Sequence, residues 1–567
     1  MTAKVLMVQG TSSSVGKSLL VAGLCRLLHQ DGHRVAPFKA QNMALNAAVT
    51  EEGLEIGRAT AVQAEAAGIE PSVDMNPILL KPEGDSRSQI VLMGRPLESL
   101  PARVYYERKK EFWEAVSGSL ARLRDKYEVV VIEGAGSPAE INLREGDLVN
   151  MRVALHARAP VLLAGDIDRG GVFASLLGTL MLLAPEERAL VKGLVINKFR
   201  GDVSLLGSGL QMLEDRAGVP VLGVVPYLRD LLISEEDSAG LEATSGVAGL
   251  LDVAVIRLPR ISNFDDFDLL AAEPAVSLRY VTDPARLGRP DLVILPGSKG
   301  TVSDLQFLRE TGLASTITAL ARTGTAVLGI CGGYQMMGDM ILDPEQVESP
   351  VVETAGLGLL PATTTFAAGK RTVRVRATIL GEAGPFASAA GQEISAYEIH
   401  MGTTTHRRSA AFQLLGDGGT GGPVGAGGSA GPSGRADTLD ASEHSAGRER
   451  AQRSGPQAKA DRPVRPYNFD ADEGVPHPPS PVPHPPSLDG CVTSGSAVMG
   501  SYLHGLFENR CLREALVNWL VERRGLPPFQ WEETARRREA EYDRLAETLR
   551  HHLDLSAIYR IVGLGGR

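Results

Sequence analysis

Residues 4–28 read Lys4-Val-Leu-Met-Val-Gln-Gly-Thr-Ser-Ser-Ser-Val-Gly-Lys-Ser-Leu-Leu-Val-Ala-Gly-Leu-Cys-Arg-Leu-Leu28. An apolar strand-like run enters a loop of small residues, and an apolar helix follows. Small residues let backbone N–H groups wrap phosphate oxygens, and the start of the helix adds partial positive charge. Gly10, Thr11, Val15 and Gly16 shape this cradle; Lys17 neutralises phosphate charge, and Ser18 offers a hydroxyl to Mg²⁺. Five residues separate Gly10 from Gly16, one more than in the common phosphate loop.

Strand, loop and helix in that order open an α/β domain, and the rest of residues 1–235 extends the pattern. Val129-Val-Val-Ile132, Val161-Leu-Leu163, Leu194-Val-Ile196 and Val221-Leu-Gly-Val-Val225 are apolar runs of the kind buried on both faces of a parallel sheet. The expected fold is a doubly wound parallel sheet. Glu133 ends one such strand and Asp166 another, with Asp168 close behind. Carboxylates at the C-terminal ends of parallel strands sit where ligands bind in these folds, so both are candidate metal ligands.

A polar stretch, 236–251, reads as a linker. A second strand series follows: Val253-Ala-Val-Ile256, Val276-Ser-Leu-Arg-Tyr280, Leu292-Val-Ile-Leu295 and Ala326-Val-Leu328. These assign a second α/β domain to 252–408 and 490–525. Between its parts, 409–489 is rich in Gly and Pro, which make up 63 and 34 of the 567 residues. Such composition buries too little apolar surface to offset ordering entropy, so a disordered insertion is expected. Its His477 and His484 lie in near-repeats, Val-Pro-His-Pro-Pro-Ser, and read as a Pro-rich loop. Residues 526–567 form a charged helical segment.

The second domain carries its own chemistry. Its fourth strand runs into Gly329-Ile-Cys331-Gly-Gly-Tyr-Gln-Met-Met-Gly338. Close-set glycines and a following helix make a nucleophile elbow at Cys331. The N–H groups of Gly332 and Gly297 are candidate oxyanion donors. His504, after a short apolar strand, is the first candidate for the base; His400 is its rival. Cys25 reads as core, and Cys491 and Cys511 lack such a context.

Net charge is −10, which argues against nucleic acid or an anionic membrane as the main partner. Four cysteines give no disulfide framework, so a reducing compartment, the cytoplasm, is expected. No run of apolar residues is long enough to span a bilayer, and no signal peptide is expected before the first strand.

The Cys331 elbow with a late histidine resembles triad-type class I glutamine amidotransferases. The N-terminal part is similar to the dethiobiotin synthetase branch of phosphate-loop enzymes. Five longer strings resemble the cobyric acid synthase family of corrin-ring amidases: residues 38–46, 75–82, 133–143, Gly165-Asp-Ile-Asp-Arg-Gly-Gly-Val-Phe173 and Asn263-Phe-Asp-Asp-Phe267. The resemblance implies ATP- and glutamine-dependent amidation of four carboxylates, b, d, e and g, of adenosylcobyrinic acid a,c-diamide, through acyl phosphates. It implies Mg²⁺ on Ser18 and Glu133, adenine at Asn197, and a corrin-side face of Lys39, Gln41, Asn42 and Asn46. Lys39, Lys81 and Arg87 are candidates for local attraction of the polyanionic corrin. Triad amidotransferases usually carry Glu two residues after the His; here Leu506 stands there, which leaves open what orients His504. The nearest alternative is a cobyrinic acid a,c-diamide synthase. A partitioning-type ATPase switch would leave the Cys331 elbow without a purpose.

Overall fold

The computed structural model describes residues 2–84, 87–101, 108–228, 249–381, 383–415, 487–493, 497–529 and 538–565, with the single positions 231, 233, 495 and 531. The first sheet has six parallel strands: β1 (Lys4–Gly10), β2 (Val35–Phe38), β3 (Val129–Glu133), β4 (Val161–Asp166), β5 (Val191–Phe199) and β6 (Val221–Pro226). Their order is β6-β5-β4-β1-β3-β2. Every residue of β3 and β4 is buried, the two-sided burial that their unbroken apolar runs imply. Because β1 lies between β3 and β4, Glu133 and Asp166 end the strands on either side of the one that feeds the phosphate loop. Helix α1 (Lys17–Gln30) follows that loop, and α2 (Arg58–Ala66) packs beside it.

The second sheet contains β7 (Leu251–Ile256), β8 (Val276–Val281), β9 (Leu292–Leu295) and β10 (Ala326–Ile330). A long antiparallel hairpin, β11 (Ala362–Ile379) and β12 (Glu393–His406), belongs to a separate sheet. That sheet continues through β13 (Phe412–Leu415) and β14 (Leu488–Asp489). β15 (Cys491–Val492) and β16 (Val498–Ser501) return the chain to the second parallel sheet, whose order is β8-β7-β9-β10-β16-β15. β15 alone is antiparallel.

Two sequence expectations change. The ends of the expected insertion are strands: Ala411, Phe412 and Leu414 lie in the hydrophobic core, and 487–489 pair with them. The residues between, including His477 and His484, lie outside the described residues, as does most of the 236–251 linker; Leu251 itself opens β7. The C-terminal segment contains two helices. Helices α5 (Arg538–His552) and α6 (Leu555–Val562) dock on the first domain, where Leu549, Leu553, Ile558 and Val562 share a core with Val8, Leu20 and Leu24. The anchoring includes Arg26 to Asp543 at 2.7 Å. The preceding helix, α4 (Arg510–Arg523), packs within the second domain. Helix α3 (Gly332–Met337) follows the Cys331 elbow.

Candidate active site

At the first site β1 ends in the small-residue loop, and Gly16 starts α1 with φ of +92°, a conformation that favours glycine. Lys17 is buried and curls back over the loop, its Nζ donating to Ser12 O at 3.0 Å and Gly136 O at 3.1 Å. Glu133 is the hub. Its Oε1 accepts from Ser18 Oγ at 2.8 Å and Lys39 Nζ at 3.0 Å, and its Oε2 accepts from Gln63 Nε2. Burial would raise the pKa of Glu133; Lys39, Gln63 and Ser18 outweigh it and hold the carboxyl below its ordinary range. Asn197 braces the loop, its Nδ2 donating to Val15 O at 2.8 Å. Asp166 stands apart from the Ser18–Glu133 pair, with its charge met by Lys198 at 3.4 Å and Arg169 at 3.8 Å. Among the described residues no cluster of three or more His, Cys, Asp or Glu side chains is placed to hold a metal.

Of the four residues expected to line a corrin-side face, Lys39, Asn42 and Asn46 are buried, and only Gln41 is partly exposed. Asn46 accepts from Phe264 N at 3.4 Å, and Ala47 O accepts from Asn263 Nδ2 at 2.8 Å. Asn46 and Ala47 therefore meet the second domain. Lys81 lines a cavity with Cys331. Arg87 lines a neighbouring cavity of about 850 Å³ that shares Gln89, Lys299, Glu348 and Met401 with it.

The second site is built at the end of β10. Cys331 has φ 51° and ψ −109°, a strained turn of the kind found at reactive residues, costing about 1–3 kcal/mol. The glycines permit it by close approach: a Cβ on Gly333 would lie 2.0 Å from Leu295 O, and one on Gly332 would lie 2.9 Å from Ser298 N. Gly332 thus abuts the loop that carries Gly297, so both expected oxyanion donors belong to touching segments. The Gly297 loop also borders the base, since a Cβ there would lie 3.0 Å from His504 Cε1.

His504 is buried beside Cys331, whose Sγ donates to Ile399 O at 3.7 Å. Its Nδ1 faces Asp266 Oδ2 at 2.7 Å, while Asp266 Oδ1 accepts from Gly505 N at 2.8 Å. An ionised carboxylate only accepts, so the Nδ1 proton is directed at Asp266 and Nε2 is left for the sulfur. Burial opposes a charge on His504, but Asp266 and Cys331 outweigh it, and its pKa is raised to about 10. Tyr397 stacks on the imidazole with centroids 5.3 Å apart. His400, the rival, borders the same cavity but stacks on Tyr502 and lies 3.7 Å from Glu398.

Asp266 is the residue that sequence reasoning missed. It sits inside Asn263-Phe-Asp-Asp-Phe267, a string noticed for its resemblance and not for this carboxylate. Its neighbour Asp265 is also buried and pairs with Arg58 Nε of α2 at 2.8 Å. Arg58 further pairs with Glu508, four residues after His504, at 3.7 Å. The first domain thereby grips the chain on both sides of the Asp266–His504 contact.

A phosphate-loop site and a Cys–His–Asp site thus share one chain. Residues 6–239 match the CobQ/CobB/MinD/ParA nucleotide binding domain, and residues 252–430 match the CobB/CobQ-like glutamine amidotransferase domain. The chain is 48% identical to a cobyric acid synthase of Dehalococcoides mccartyi (strain CBDB1), with 100% of both chains covered. It is 48% identical to one of Sorangium cellulosum (strain So ce56), again over 100% of both. A third, of Pelotomaculum thermopropionicum, is 46% identical, covering 100% of this chain and 97% of that one. With two domains matched in the same order and full-length relatives at this identity, the chain belongs to the cobyric acid synthase family, glutamine amidotransferase ligases of cobalamin biosynthesis.

Proposed function

We propose that the protein amidates the b, d, e and g carboxylates of adenosylcobyrinic acid a,c-diamide, using ATP and ammonia drawn from glutamine. The observation that carries this reading is the pairing of the two sites across a buried interface, in which Asn46 and Ala47 meet Asn263 and Phe264. The full-length likeness to cobyric acid synthases supports the choice of substrate.

At the second site Cys331 Sγ attacks the side-chain amide carbon of glutamine. His504 gives its proton to the departing ammonia, and a thioester remains. Water, deprotonated by His504, then hydrolyses the thioester and releases glutamate. The N–H groups of Gly297 and Gly332 steady the oxyanion in both steps.

At the first site a corrin carboxylate oxygen attacks the γ-phosphorus of ATP and ADP departs, which turns a poor electrophile into an acyl phosphate. Ammonia attacks the acyl carbon, phosphate leaves, and one proton is released. Lys17 and Lys39 balance the phosphoryl charge. The Ser18 hydroxyl and Glu133 carboxylate are hard oxygen donors of the type Mg²⁺ takes, and the buried Gln63 Oε1 beside them lacks a hydrogen-bond partner. Bound there, Mg²⁺ would offset charge on the β- and γ-phosphates. Ammonia is mostly protonated near neutral pH, so a shielded passage is needed. Asn42, Asn46 and Thr60 are buried, each with an unpartnered polar atom, and Asn46 meets Phe264 of the second domain, a polar setting that suits a small polar guest.

The test is mass spectrometry of the corrin product formed from the a,c-diamide, ATP and glutamine. Four successive acid-to-amide conversions support the reading. No conversion of this substrate, with conversion of cobyrinic acid to its a,c-diamide, contradicts it.

A further inference from the structure

The cavity at Cys331 carries more positive charge than the chemistry at sulfur requires. Lys81, Lys299 and Lys370 line it with one carboxylate, Glu348. Lys299 is matched by Glu83 at 3.0 Å. The other two lysines share a single partner. Glu55 is fully buried; its Oε2 accepts from Lys370 Nζ at 2.6 Å, and its Oε1 pairs with Lys81. Both lysine side chains are nearly buried, at 5% exposure for Lys81 and 11% for Lys370.

Two ammonium groups on one carboxylate leave a local surplus of positive charge out of water, since the cavity's own carboxylate, Glu348, is under the influence of Lys299. Such a surplus is costly unless an anion arrives to match it. The electrostatics agree. Burial would raise Glu55, but Lys370 and Lys81 hold it down at about 2. Burial, assisted by Lys370 and Lys299, draws Lys81 down to about 8 in spite of Glu55. Each ammonium has three donors and needs one for Glu55, so an anion in the cavity could be met by N–H groups from both.

We propose that Lys81 and Lys370, held together on Glu55, bind the α-carboxylate of the glutamine whose amide is cleaved at Cys331. The inference rests on glutamine hydrolysis at that cysteine. Lys81 comes from the strand Ile78–Gly84 of the nucleotide-binding part, and Lys370 from β11 of the amidotransferase part. The glutamine pocket is therefore completed by both domains. Lys81 is thereby reassigned from the corrin to glutamine.

The experiment compares glutaminase kinetics of the full chain on L-glutamine and on L-glutamine α-amide, in which a neutral amide replaces the α-carboxylate. Wild type should prefer glutamine in kcat/KM. Lys370→Met and Lys81→Met should each reduce that preference roughly 10- to 100-fold, the scale of a lost charge-assisted hydrogen bond, mainly through KM for glutamine. Lys370→Arg keeps the charge and should restore most of the preference. Ammonium-dependent amidation by Lys370→Met should keep its KM for the corrin. An unchanged preference in both Met variants overturns the proposal, as does a rise in corrin KM with no change in glutamine KM. Failure of the underlying reading looks different: wild type itself would not hydrolyse glutamine.

Discussion

Asp266 grips His504 twice, through Nδ1 of the ring at 2.7 Å and through the backbone N–H that follows it, on Gly505, at 2.8 Å. One carboxylate thus sets both the tilt of the imidazole and the position of the chain that bears it. The residue beside it, Asp265, is held by Arg58 of the other domain. Alignment of the Cys331 site is therefore tied to docking of the nucleotide-binding domain.

Asp266→Asn should lower glutamine-dependent turnover by roughly 10²- to 10⁴-fold, as loss of a triad acid does, and leave ammonium-dependent amidation in place. The direction of the pH effect is fixed by charge. Asp266 raises His504, so its removal lets the imidazolium lose its proton at lower pH, and the alkaline limb of the glutaminase profile should move down. The folded pKa of about 10 lies above an unfolded value of about 6.5. His504 therefore stabilises the native state fully below about pH 6.5 and loses this contribution as pH rises through about 10. Urea titrations of wild type and variant across that window should converge at the alkaline end.

Arg58→Ala leaves Asp265 buried without its partner, a change that costs about 3–5 kcal/mol for a buried pair. Burial, with Asp266 nearby, already pushes Asp265 upward against the pull of Arg58. The double variant Arg58→Ala/Asp265→Asn should regain part of the loss, because a neutral amide needs no counter-charge. Thermal unfolding of the four proteins in the cycle measures this coupling.

Gly333→Ala places a methyl group where Leu295 O stands 2.0 Å away, which pries α3 from the Gly297 loop. Glutaminase activity should fall sharply while nucleotide binding, measured by calorimetry, stays near wild type. Retention of full glutaminase activity would show that the elbow tolerates a displacement its contacts do not suggest.

β13 and β14 pair antiparallel, with Phe412 opposite Asp489 and Gln413 opposite Leu488. On the sequence expectation of a disordered insertion, a short turn should be able to replace residues 417–485. Loop-closure entropy changes by only about 0.6 kcal/mol per doubling of length, so shortening should leave the thermal midpoint close to wild type or slightly above it. Phe412→Ala, by contrast, empties a fully buried aromatic site and should cost roughly 3–5 kcal/mol.

Features written in contiguous residues were legible in advance. The phosphate loop and the Cys331 elbow each combine a strand, a turn of small residues and a helix within a short stretch, so their local geometry follows from residue type. Asp266, Arg58 and Lys370 were not, because each acts on a partner far away in sequence and carries no local pattern. β13 was hidden because its few apolar residues abut a Gly-rich run whose composition dominates any window. Helix α5 reads as a solvated charged helix, yet Tyr542, Leu545 and Leu549 make a narrow stripe that α1 and α2 cover. The buried position of Asn46 likewise depends on the neighbouring domain, which no local window contains, and Lys39 is buried against Glu133, far away in sequence.

The central claim is that nitrogen is released at Cys331 and consumed at the phosphate-loop site. The direct measurement supplies amide-¹⁵N glutamine together with unlabelled ammonium, the a,c-diamide corrin and ATP, and reads the isotope in the amidated product by mass spectrometry. Wild type should incorporate mainly ¹⁵N. Cys331→Ala should still amidate but with unlabelled nitrogen alone, and Lys17→Ala should form no product from either source. Labelled product from Cys331→Ala would contradict the account.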